Sequence, residues 1–294
     1  ILAVGGGSAI DSAKAIASGT IYEGDFWDFY CGKSVDKALP IGTILTISAA
    51  GSEGSADSVI TNGENKRGAS GEALRPKFSI LNPELTQTLS EYQTACGSVD
   101  IMSHIIEVYF NMEPDLYMLD CFMEGMLRTV VKYAPIAMRE PDNYEARANL
   151  MWTSSWAING FINGGRAKAW SCHPMEHELS AYYDITHGLG LAILTPRWME
   201  YCLDENNVSK YVQFATNVFG VDSNQDQMSI AREGIKRLYD FFFTTLGLKN
   251  NLSEIGIGRE NFAIMAKKAC GKGILKGFRN LTPEDVEKIY EMCL

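Results

Sequence analysis

Strand signals stop near Pro83, and everything after Gln93 is written in the helical period. Nine amphipathic stretches follow one another at 93–110, 116–138, 144–161, 175–183, 189–202, 208–218, 229–246, 262–270 and 283–292, with apolar residues recurring every three to four positions. Before that point the apolar runs are short: 1–4, 41–47 and 78–81 read as strands, and 9–18 as a helix closed by Gly19. Val59-Ile60-Thr61 followed by Asn62-Gly63 predicts a β-turn. The pattern predicts an α/β N-terminal part over 1–87, an all-α part over 88–294, and a cleft between them.

Net charge is −10 with a pI near 5.0, and there is no run of lysine or arginine. This excludes nucleic acid and anionic membrane surfaces as partners and leaves small molecules. No apolar run is long enough to cross a bilayer. The seven cysteines are scattered without a C-x-x-C pair, so a disulfide framework or zinc ribbon is not expected and a reducing cytoplasm is. Cys172 beside His173 reads as packing. The opening run Ile1-Leu2-Ala3-Val4 resembles an interior strand of a parallel sheet; on that reading about two βα units precede it.

After the first run comes Gly5-Gly6-Gly7-Ser8 and then a helix, the form of a phosphate cradle: glycine allows close backbone approach, and unpaired N–H groups at a helix start favour an anion. Ser8 and Asp11 have the spacing of a capping box. The G-x-G-x-x-G fingerprint is not met, because Ile10 stands where its third glycine belongs, and Asp25 lies in an aromatic loop rather than at a strand end. The alternative reading is a tight strand-to-helix connection with no ligand. A second loop, Thr46 to Ser55, offers small hydroxyl side chains and glycine at the end of a strand.

The four histidines carry the chemistry. Asp100 precedes His104 by four residues, which puts carboxylate and imidazole on one helix face; His173 and His177 repeat the interval, and His187 follows ten residues on. The face holding Asp100 is otherwise apolar (Met102, Ile105, Ile106, Tyr109), and a carboxylate buried there is costly unless it coordinates a cation. One carboxylate and three imidazoles with no thiolate suit Fe²⁺ and Zn²⁺ alike. Spacing leaves open which three histidines ligate. Glu107, one turn beyond His104, is a candidate acceptor behind a ligand or else a solvated glutamate.

Gly5-Gly6-Gly7-Ser8-x-x-Asp11-x-x-Lys14, the Thr46-to-Glu53 loop, Asp100-x-x-x-His104, and His173-x-x-x-His177 with His187 together resemble the iron-containing, group III alcohol dehydrogenases, and 172–200 is most similar to bacterial NAD(P)H-dependent butanol dehydrogenases. The resemblance runs the length of the chain. It implies a dehydroquinate synthase-like fold: an incomplete α/β nucleotide-binding part and an all-α metal-binding domain. It implies Asp100, His104, His173 and His187 as metal ligands and His177 as the catalytic histidine near the nicotinamide, active in proton relay. It further implies cofactor contacts from Gly6, Gly7, Ser8, Thr46, Ser52 and Lys66, with Leu85 and Leu89 beside the adenosine half and Phe161 in the substrate region. The activity implied is alcohol–aldehyde interconversion with NAD or NADP in a cytoplasmic homodimer. One departure is Ala50, where relatives carry a threonine hydroxyl. Same-fold alternatives are a glycerol dehydrogenase or dehydroquinate synthase-like enzyme, against which the aromatic Trp152, Trp156, Phe161 and Trp170 speak, and an inactive fragment of the fold.

Overall fold

The structure, a computed structural model, describes residues 1–113, 116–166 and 169–294. Strand β1 (Leu2–Gly5) pairs in parallel with β2 (Gly42–Leu45), and β2 with β5 (Phe78–Ile80), giving a sheet in the order β1-β2-β5. Helix α1 (Gly7–Gly19) crosses from β1, and α2 (Trp27–Tyr30) forms one turn inside the aromatic loop. Ala3, Leu45, Ile10, Ala13 and Met151 close a small core under the sheet. The opposite face, with Leu2, Val4, Phe78 and Ile80, is exposed.

The turn at Asn62-Gly63 is present, with Gly63 at φ +56°, and joins β3 (Asp57–Asn62) to β4 (Asn65–Ser70) in an antiparallel hairpin. Strand β4 has no sequence signal. Its run Asn-Lys-Arg-Gly-Ala-Ser is polar, and pairing with β3 rather than β-propensity makes it a strand.

The capping box expected at Ser8 and Asp11 does not form. Gly6 is the N-cap, no side chain caps the helix, and Asp11 turns inward, accepting from Ser52 Oγ at 2.5 Å and from the Val59 amide at 2.9 Å. A buried carboxylate with one donor from the next loop and one from β3 outcompetes a solvent-facing cap.

The remainder is helical: α3 (Glu91–Tyr109), α4 (Tyr117–Arg139), α5 (Tyr144–Ile158), α6 (Cys172–Tyr183), α7 (His187–Cys202), α8 (Val208–Phe219), α9 (Gln227–Asp240), α10 (Phe262–Ala269) and α11 (Pro283–Met292). One predicted helix ends early and another changes its hydrogen-bonding pattern near its end. Gly160 at φ +101° stops α5 short of Phe161, and α9 passes into a π-helical turn over Phe241–Thr245. Helix α3 runs through the middle, packed on α4, α5 and α7, with Val99, Met102, Ile105 and Ile106 inaccessible to solvent. Ser90 caps α3 by accepting from the Gln93 amide. Among the described residues no helix is long and apolar enough to cross a membrane.

Candidate metal centre

Three helices bring the histidines together. Asp100 and His104 lie in mid-α3, His173 is the second residue of α6, and His187 is the first residue of α7. The reversal between α6 and α7 is three residues long and turns on Asp184. It is the one non-glycine residue at positive φ (51°) among those described, and its amide donates to the Ser180 carbonyl at 2.9 Å.

One carboxylate oxygen organises the centre. Asp100 Oδ1 stands 3.5 Å from His104 Nδ1, 3.6 Å from His173 Nε2 and 3.6 Å from His187 Nε2. Those separations are long for hydrogen bonds. Donors about 2.1 Å from a tetrahedral divalent ion stand about 3.4 Å apart, and Asp100, His104 and His173 offer ligand atoms within 4.8 Å of one another, whereas His187 groups with Glu176 and His177. Asp100 Oδ1 and His173 Nε2 are buried and have no hydrogen-bond partner, and a cation between them would satisfy both. Burial by itself would raise the Asp100 pKa, but the surrounding imidazoles pull it well below the usual carboxylate range.

Two further carboxylates hold the rings. Glu107 is buried, accepts from the amides of Ser171 and Cys172 at 2.5 Å each and from that of His173 at 3.3 Å, and pairs with His173 Nδ1. It therefore caps α6 and aims the imidazole at once. Burial opposes charge on His173, yet Glu107 and Asp100 together lift it to about 9. Glu176, inaccessible to solvent, does the corresponding work on His187 Nδ1. Glu107 had two possible roles in the sequence reading and Glu176 none, although its place three residues after His173 on α6 is a signal that could have found it.

His177 sits beside the cluster, its ring 6.4 Å from that of His173 and 5.7 Å from that of His187. Burial and then the Lys66 ammonium hold its pKa well below the ordinary value, so the imidazole is neutral. Trp170 closes the other side, edge-on to His104 at 5.6 Å and to His173 at 4.8 Å. Trp152, Trp156 and Phe161 gather elsewhere, around a cavity of about 380 Å³ that Glu53 and Arg75 also line.

The expected cofactor residues fall on the two loops at the sheet's carboxyl end and on the hairpin. A Cβ at Gly6 would come within 2.3 Å of Ile47 Cγ2 and one at Gly7 within 2.8 Å of Ala50 Cβ, so the glycines let the two loops touch. Ser8 is exposed at the start of α1, and the Thr46 amide donates to the Gly5 carbonyl at 3.1 Å. Ser52 is buried, its hydroxyl spent on Asp11 and on Lys14 Nζ at 2.9 Å. Lys14 also reaches the carbonyls of Ser52, Ser55 and Asp57, stitching α1 to the second loop. Lys66, on β4, points into the centre, 3.2 Å from Glu176 Oε2. Leu85 is exposed on a short turn over Pro83–Thr86, and Leu89 follows it half-buried.

Comparison with known proteins identifies the family. Residues 94–294 match the model of the Fe-containing alcohol dehydrogenase family, C-terminal, and residues 1–83 match that of iron-containing alcohol dehydrogenase. The chain belongs to the iron-containing alcohol dehydrogenase family. It is 50% identical to NADH-dependent butanol dehydrogenase A of Clostridium acetobutylicum, over 99% of this chain and 76% of that protein. It is 34% identical to the NADPH-dependent aldehyde reductase of Escherichia coli, over 99% and 76%. The crystal structure of the Thermotoga maritima NADH-dependent butanol dehydrogenase A superposes with a TM-score of 0.92 at 39% identity, covering 99% of this chain and 75% of that one. The fold class expected from the sequence is the one found. The family's activity is alcohol–aldehyde interconversion with iron and NAD(P)(H).

Proposed function

We propose that this iron-dependent alcohol dehydrogenase acts on short unbranched primary alcohols such as butanol and on their aldehydes, with Asp100, His104, His173 and His187 as the metal ligands. The observation that carries the reading is the equal spacing of three imidazole nitrogens around one orphaned carboxylate oxygen. When bound, Fe²⁺ supplies Lewis acidity to the substrate oxygen and NAD(P)(H) exchanges the hydride. Asp100 contributes the one negative charge among the ligands. Glu107 and Glu176 fix the tautomers, so that His173 and His187 both offer Nε2. His177, neutral and beside the cluster, exchanges the proton at the substrate oxygen. Trp170 walls the site with an apolar ring, which suits an alkyl chain better than a polyol. Gly6, Gly7 and Ser8 hold the pyrophosphate at the start of α1, Thr46 and Lys66 the nicotinamide side, and Leu85 and Leu89 the adenosine side. Ser52 acts by shaping its loop through Asp11 and Lys14. We assign residues 1–87 to the nucleotide half and 88–294 to the metal half, and expect a homodimer. A cytoplasmic location accords with seven free cysteines.

Elemental analysis beside butyraldehyde reduction tests the assignment. One iron or zinc per chain is expected, with His173→Ala losing both metal and turnover. Full activity from a metal-free chain would overturn it.

A further inference from the structure

The two carboxylates behind the ligand histidines are held differently. Glu107 is bound by three amides of the helical half, and nothing from the α/β half touches it in the hydrogen bonds described. Glu176 has no backbone donor. Its Oε1 accepts from Ser180 Oγ, and its Oε2 is shared between His187 Nδ1 and the Nζ of Lys66, which arrives on β4 from 110 residues away in the chain. Lys66 Nζ is also 3.3 Å from His187 Nδ1. Both atoms carry protons toward one oxygen, so they meet through Glu176 rather than bonding each other. The space is built for the carboxylate: a Cβ on Gly190, one turn into α7, would stand 2.8 Å from Glu176 Cγ and 3.0 Å from Oε1.

We propose that Glu176 is a positioning residue that fixes His187 on the metal and ties that ligand to the nucleotide half through Lys66. The inference rests on the ligand set proposed above. Glu176, His177 and His187 also offer ligand atoms within 4.8 Å of one another, which admits a rival: a second cation with Glu176 as its ligand. The geometry favours positioning. His187 Nδ1 is occupied by Glu176 while its Nε2 faces Asp100, so the ring has one nitrogen to give and it belongs to the Asp100 centre. The hairpin is anchored nearby as well, with Lys268 Nζ 2.6 Å from the Glu64 carbonyl and 3.1 Å from Glu178 Oε2.

Charge gives the proposal opposite signs at its two ends. The Glu176 carboxylate raises the basicity of His187 and adds a negative charge near the cation, so its loss weakens binding. The Lys66 ammonium opposes a cation held by the neighbouring ring, so its loss strengthens binding. A role in packing alone would not produce opposite signs.

The test is Fe²⁺ affinity of the apo chain, measured anaerobically by chelator competition without cofactor or substrate, alongside the melting temperature of each apo variant and the metal stoichiometry. Glu176→Gln is expected to weaken binding about 10- to 100-fold with one site per chain retained, and Lys66→Met to tighten it several-fold. If the Gln variant is recovered unfolded, Ser180→Ala carries the test, because it frees Oε1 without burying a new group; weaker binding supports the proposal and unchanged binding overturns it. Wild-type affinity in a folded Glu176→Gln chain, weakening in Lys66→Met, or two cations per wild-type chain would each overturn it. His173→Ala in the same assay separates the two readings: if that variant also keeps wild-type affinity, the ligand set itself is wrong.

Discussion

Gly188 lies against the backbone of Cys96, so close that a Cβ on it would stand 2.1 Å from the Cys96 carbonyl oxygen and 2.5 Å from the carbonyl carbon. Gly188 follows His187 on α7, and Cys96 is one helical turn before Asp100 on α3, the two residues proposed above to share a metal. The contact sets how near α3 and α7 come. Both obstructing atoms are backbone, so no rotamer change relieves the clash. Gly188→Ala is expected to lower stability by about 1–3 kcal/mol or more and to lose bound metal, measured by urea denaturation and elemental analysis. Wild-type values in both would contradict the close approach.

Glu107→Ala leaves the amides of Ser171, Cys172 and His173 without their acceptor at the start of α6. Unsatisfied buried donors cost about 1–3 kcal/mol each, partly relieved by entering water, so a loss of about 2–4 kcal/mol is expected. Glu107→Gln, which keeps an acceptor oxygen, should fall between Ala and wild type in denaturation midpoint and in metal content.

Removing His177 should separate chemistry from coordination. His177→Ala is expected to keep one metal per chain and to slow turnover by roughly 10²-fold, the usual contribution of a positioned proton-transfer group. Metal loss in this variant would exchange its role with that of a ligand.

Lys14 gives a pH signature. Burial pulls its folded pKa down to about 8 from the ordinary lysine value of 10.5. Between those values the unfolded chain holds the proton and the folded chain does not, so this residue's contribution makes stability rise with pH over that window. Denaturation midpoints at pH 7.5 and pH 10, in wild type and in Lys14→Met, should differ by this rising component, present in wild type and absent in the variant. A matching pH slope in the two chains would refute it.

Much of the centre was legible in the residue order because its parts are local. Asp100 with His104, and His173 with His177, are one helical turn apart, and that interval alone puts each pair on a shared face. The strand-turn-helix at Gly5 to Gly7 and the turn at Asn62-Gly63 were likewise visible, since glycine marks backbone geometry that other residues resist. The capping box at Ser8 and Asp11 was misread for the complementary reason. Whether Asp11 faces solvent or Ser52 depends on a loop some forty residues away.

Residue order alone carries the periodicities, and through them an α/β part, a helical part and a set of histidines and carboxylates at helical spacing. That three of those imidazoles converge on Asp100, that Glu107 and Glu176 stand behind His173 and His187, and that Lys66 crosses from the other half of the chain comes from the packing of distant segments. Period and propensity act over a few residues, whereas the approach of α3 to α7 depends on a glycine with no side chain where a backbone carbonyl must fit.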